Sequence, residues 1–171
     1  YAEKSRAIKE SVYAFELQLM CYQKLGKNDL IISECEKMDE NKQIMNDFVL
    51  EIWGEAYFGK EKYEKCIDVS NRQLSGDDRS ENIAPKLWKS AALRELKKYD
   101  EAIEILDQII RNNSDNWDSH RLKGAVLEKQ EKFDEALVEY EKCGIILENK
   151  KEKNDDWCES LVDRATMIKK I

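Results

Sequence analysis

One phrase in this chain is written three times. Residues 98–103 read Lys98-Tyr99-Asp100-Glu101-Ala102-Ile103, and thirty-four residues later the chain reads Lys132-Phe133-Asp134-Glu135-Ala136-Leu137. Thirty-six residues before the first of these stands Lys62-Tyr63-Glu64-Lys65-Cys66-Ile67. A period of this size marks a unit copied along the chain, each copy offering the next the same packing face. The 171 residues are ample for a buried core and suit a single domain, 1–171.

The apolar spacing between these phrases is helical throughout, and no alternating runs with hairpin turns compete. A long helix is expected over 2–25, with Val12, Phe15, Leu19 and Tyr22 on one face. Gly26 suits its end, and Asp29 is placed to cap a second helix carrying Leu30, Ile31, Ile32, Cys35 and Met38. Asp39 to Lys42 reads as a polar connection. Helices are then expected over 46–58 and 63–74, followed by a loop-like stretch from Ser75 to Asn82. Pro85 falls in the first turn of the next helix, which runs to about Leu96 and is followed by one from Tyr99 to about Arg111. Asn112 to Asn116 is a polar break. Helices over 117–130 and 134–148 follow, and a last helix at about 155–170 places Trp157, Leu161, Ala165 and Ile168 on one face.

Aligned on the repeated phrase, the helices share a grammar. A small residue stands in the first helix of each pair (Gly54, Ser90, Gly124), with a large one three later (Tyr57, Leu93, Leu127, and Tyr22 in the first pair). An aromatic opens the second helix (Tyr63, Tyr99, Phe133), and a small residue follows three beyond it (Cys66, Ala102, Ala136). Small residues let two backbones approach, and the large one fills the space between them. This pattern resembles the tetratricopeptide repeat (TPR), a 34-residue helix–turn–helix unit. The resemblance implies an all-α fold: an α-solenoid of about four TPR-like repeats, near 12–46, 47–82, 83–116 and 117–150, wound into a right-handed superhelix with a C-terminal capping helix. The first repeat departs from the pattern, with Leu19 and Ile31 in the small slots and Asn28 in the aromatic one.

Composition narrows the function. Charged residues make up 38% of the chain and the net charge is −7, against a general nucleic-acid binder, which needs a basic face. No apolar run is long enough to span a membrane. Cys21, Cys35, Cys66, Cys143 and Cys158 show no metal-binding spacing, so buried thiols in a reducing, cytoplasmic setting are expected. His120 is the only histidine and has no triad partners in sequence, so it reads as a packed helix residue. There is no glycine-rich phosphate loop, and the carboxylates alternate with lysines as on solvated helix faces. Neither enzyme activity, a metal nor a cofactor is expected. Trp53 and Trp88 read as core. Tyr1 reads as a cut inside a larger protein.

The resemblance implies a protein-interaction scaffold whose first helices line a concave groove that takes a partner peptide. The positions it places there are Glu51, Glu55 and Phe58, then Leu87, Ala91 and Arg94, then Asp118, Arg121 and Glu128. Some TPR domains clamp the terminal carboxylate of a chaperone tail with basic residues. Here the corresponding places hold Glu51, Glu55, Leu87 and Ala91, so that clamp is not expected and a basic or apolar segment is. Two alternatives stand beside this reading: a peptide-sensing regulatory domain of a larger regulator, and a rigid auxiliary subunit of an enzyme complex.

Overall fold

The computed structural model describes residues 2–43, 45–75 and 82–150. Among these, eight helices follow one another with no strand: α1 (Ala2–Lys24), α2 (Asn28–Glu40), α3 (Asp47–Gly59), α4 (Tyr63–Leu74), α5 (Ile83–Glu95), α6 (Tyr99–Asn112), α7 (Trp117–Lys129) and α8 (Phe133–Lys150). The architecture is the all-helical repeat expected. The expected ninth helix with Trp157, Leu161, Ala165 and Ile168 lies outside the described residues, as do Cys158 and most of the loop at 75–82. The chain divides into two compact units, 1–88 and 89–171, with the division inside α5.

The turn inside each hairpin is built from main chain. Lys27, Lys62, Lys98 and Lys132 each donate their N–H to the carbonyl five residues back, on Tyr22, Tyr57, Leu93 and Leu127, at 2.9–3.0 Å. The residue before each lysine donates three residues back, to Gln23, Phe58, Arg94 and Glu128. This pair of bonds closes a helix end only if the residue between them turns left-handed. Gly26 does so at φ 63°, and so do Glu61 at 58°, Lys97 at 61° and Glu131 at 61°. The carbonyls that accept the longer bond belong to the large-slot residues, so corner and core are registered together.

The end of α2 turns the same way at Lys42, φ 52°, and side-chain caps open two of the first helices. Asn46 precedes α3 and accepts from the Val49 N–H at 3.0 Å, and Asn116 precedes α7 and accepts from the Ser119 N–H at 2.9 Å. The second helices α2, α4 and α6 begin directly on a lysine with no side-chain cap. Asp29 therefore does not cap α2. It lies one residue inside that helix and pairs with Lys60 at 3.0 Å.

In the first unit, Trp53, Ala56 and Tyr57 of α3 are buried with Cys66 and Val69 of α4. Gly54 lies under Val69, where an added Cβ would meet a methyl group at ordinary contact distance. Leu19 and Ile31, in the small slots of the first hairpin, are fully buried. The α1–α2 pair touches along a shorter stretch than α3 and α4. Pro85 sits in the first turn of α5 and is buried.

In the second unit, Ala102 and Ala136 are fully buried. Leu127, Ala136 and Tyr140 form a cluster with Ile103 and Leu137 against it. The contact is tightest at Gly124, where an added Cβ would lie 2.6 Å from the Tyr140 ring. That close approach is why the first small slot of this hairpin holds a glycine. Three of the four described cysteines, Cys35, Cys66 and Cys143, are buried as expected, but Cys21 is exposed because it lies opposite Leu19 and Tyr22 on α1.

Candidate partner-binding surfaces

Within the first unit, Glu51 and Glu55 stand four residues apart on α3, and so on one side of the helix. Both are half-buried. Burial, and then the charge of Glu55, raise the Glu51 carboxyl above the usual carboxylate range. Glu55 accepts from the Gln23 side-chain amide at 2.6 Å, across the seam between α1 and α3. At the other end of that seam the Asn46 amide donates to Glu16 at 2.6 Å. Glu51 has no cationic partner among the described residues. Phe58 is half-buried, its ring 5.5 Å from those of both Tyr63 and Trp88. Leu87 is half-buried on α5.

Within the second unit the predicted charges are held by their own neighbours. Arg94 bonds the adjacent Glu95, at 2.8 Å through Nε and 2.6 Å through Nη2. Arg121 reaches back one turn to Asp118, at 2.8 and 3.1 Å. Glu128 accepts from the Tyr140 hydroxyl at 2.9 Å, so this carboxylate secures the ring that packs on Gly124. Ala91, expected at the surface, is buried, because it adjoins Ser90 and Ala92, both at 0% exposure, at the packed side of α5.

His120 is not exposed but buried, and its two ring nitrogens face Glu139 Oε2 at 2.6 Å and the Ser114 carbonyl at 3.2 Å. Glu139 is buried too, with Lys142 at 3.0 Å and Lys123 at 3.6 Å from its other oxygen. Burial opposes the charge on Glu139, but hydrogen bonds from His120 and Lys142, with the nearby lysine charges, bring its carboxyl below the usual range. The expectation that the carboxylates are solvated fails here. Residue 139 lies three after Ala136 and four before Cys143, so helical spacing alone puts it on the core stripe. Among the described residues, no three His, Cys, Asp or Glu side chains are placed to hold a metal ion, and no helix is long and apolar enough to cross a membrane.

Comparison of the whole shape with solved structures finds the same hairpin array elsewhere. The first TPR domain of human RPAP3 superposes with a TM-score of 0.58 at 22% identity, over 70% of this chain and 89% of that one. MamA from Desulfovibrio magneticus does so with a TM-score of 0.61 at 13% identity, over 92% and 94% of the two chains. The fold is a tetratricopeptide-repeat fold. A third TPR domain, that of Arabidopsis OM64, aligns with a TM-score of 0.54 at 15% identity, over 68% of this chain and 93% of that one. No protein-family model matches the chain, and no curated protein matches it significantly. The first TPR domain of Spaghetti (RPAP3) has been solved bound to an HSP90 peptide, SRMEEVD. In TPR terms Gly54, Ser90 and Gly124 are the small positions of the first helices, and Glu51 and Glu55 flank the first of them.

Proposed function

We propose that this protein is a non-catalytic protein-binding module that holds a basic segment of a partner against the first-helix face around α3. The observation that carries the reading is Glu51: a half-buried carboxylate, beside a second one, with no cation against it among the described residues. Such a group is costly to keep charged and is relieved by an incoming lysine or arginine. Phe58, half-buried one turn beyond Glu55, offers apolar contact beside the charge. The peptide held by the RPAP3 domain supports peptide binding by this fold. Its acidic sequence would be repelled by Glu51 and Glu55, so the chaperone-tail clamp is not part of the proposal.

The test is calorimetric titration with peptides of equal length graded from acidic to basic. Affinity should rise with positive charge and fall with added salt. It should also weaken in the Glu51→Lys, Glu55→Lys double variant, with helicity and melting retained. Tighter binding of the acidic peptides, or unchanged affinity in the folded double variant, overturns the proposal.

A further inference from the structure

A cavity of about 440 Å³ opens between α2 and α4, with α3 as its floor. It lies on the second-helix side of the first unit, on the side of α3 opposite Glu51 and Glu55. Its floor is aromatic: the Trp53 and Tyr57 rings lie 5.4 Å apart and tilted by 33°. The chain's own cations already lie over both, the Arg72 guanidinium 5.5 Å from the Trp53 ring and the Lys65 ammonium 5.2 Å from Tyr57.

The walls carry more acid than base. Glu36 and Asp39 are answered by Lys65 at 3.0 Å and Arg72 at 2.8 Å. Glu40 and Asp68 also line the cavity and have no cation against them among the described residues. Below them the indole N–H of Trp53, on a side chain 3% exposed, has no hydrogen-bond partner. Tyr57 feels this N–H but takes no bond of good geometry from it, and its own hydroxyl donates to Glu36 at 2.8 Å. A buried donor left open is uncommon in a folded protein and points to a missing acceptor.

The equivalent cavity in the second unit has a different floor. At the place of Trp53, the seventh residue of its helix, α7 carries Lys123, and at the place of Tyr57 it carries Leu127. Lys123 enters that cavity and meets Asp107 at 2.7 Å. One repeat thus supplies a cation from the side chain of its own first helix. The other carries an aromatic platform at that place, with Glu40 and Asp68 facing no cation among the described residues.

We propose that the α2–α3–α4 cavity is a second binding site, which takes an arginine side chain of a partner protein. The guanidinium stacks on the Trp53–Tyr57 platform and bonds to Glu40 and Asp68, and a main-chain carbonyl of the same residue accepts from the Trp53 N–H. Arg72, half exposed over the indole, swings aside to admit it.

The probe is arginine blocked as N-acetyl and N-methylamide, with the glutamate analogue as control, added to the whole chain labelled with ¹⁵N. The Trp53 indole signal is assigned by its loss in Trp53→Phe. Blocked arginine should move it saturably and leave the Trp88 and Trp117 indole signals in place. The glutamate analogue should not move it. Glu40→Gln with Asp68→Asn should weaken the response at least tenfold, whereas Glu51→Lys with Glu55→Lys should leave it intact. A stronger response to the glutamate analogue, no saturable shift with blocked arginine, or an unchanged response in the Glu40/Asp68 variant overturns the proposal. The Glu51/Glu55 variant keeps its fate separate from that of the α3 reading.

Discussion

Four hairpin corners share one backbone geometry, but only Gly26 is a glycine. Glu61, Lys97 and Glu131 hold the same left-handed conformation with a side chain attached, at φ of 58°, 61° and 61°. Each such residue costs about 1–2 kcal/mol through the clash of Cβ with the following carbonyl. A glycine removes that clash but loses about 0.5–1 kcal/mol of extra chain entropy on folding. The net gain is about 0.5–1 kcal/mol per corner. Nothing is lost with the side chains, because all three are exposed and none has an ion pair or side-chain hydrogen bond among the described residues. The corners share no partners, so Glu61→Gly, Lys97→Gly and Glu131→Gly together should add about 2 kcal/mol. That raises the melting temperature by roughly 4–8 °C in a chain of this size. The reverse change is the control: Gly26→Ala meets no atom within 4 Å, so its loss of about 1 kcal/mol is purely conformational. Urea unfolding of the single and triple variants decides the matter. A triple variant no more stable than the parent refutes the claim that these corners store strain.

Further outcomes follow from the two units. His120→Ala removes one hydrogen bond from the buried Glu139 carboxylate, which keeps Lys142 and Lys123, and Glu139→Leu leaves a buried ring nitrogen of His120 unsatisfied. Each should cost about 1–3 kcal/mol, read by thermal melting, with the double change costing less than the sum. Gly124→Ala drives a methyl into the Tyr140 ring and should cost about 1–3 kcal/mol, whereas Gly144→Ala, with open space at its Cβ, should stabilise α8 by about 0.5–1 kcal/mol. Thiol labelling at neutral pH should modify Cys21 at once and spare Cys35 and Cys66, whose thiols burial pushes up to about 12 and about 11, until the chain unfolds. Because the Glu51 carboxyl is raised in the folded state, its contribution to stability is present at low pH and lost as pH rises through its folded value. Glu51→Gln should therefore stabilise the protein at neutral pH and flatten the pH dependence just above the ordinary glutamate range, as followed by urea midpoints across pH.

The repeat was legible because its strictest demand is steric and recurs. Gly54, Ser90, Ala102, Gly124 and Ala136 declare themselves by size at fixed spacing, and all five are buried. The helix limits followed from those slots to within a residue or two. What stayed hidden depended on pairing rather than pattern. Glu139 looks like any charge on a lysine-rich helix until its register against Ala136 and Cys143 is counted, and its partner His120 lies nineteen residues away. The left-handed corners were concealed because three of the four carry residues that advertise no turn. Of the first-helix charges, nothing in their spacing separates Glu51, which is unanswered, from Glu128, which a tyrosine from the next helix already occupies. The aromatic cavity was invisible for a related reason: Trp53 satisfies the helical spacing of a core residue and is one, while also forming part of a wall.

The corners also bear on how such a chain can change over time. Each bend is tied by amide and carbonyl groups that every residue other than proline possesses, so no particular letter has to be kept there beyond tolerance of one torsion angle. Selection is left to guard a handful of small residues and their bulky opposites. Two descendants of one ancestor could rewrite most of their letters and still wind the same way, and kinship of this sort will outlast in outline what it has lost in spelling.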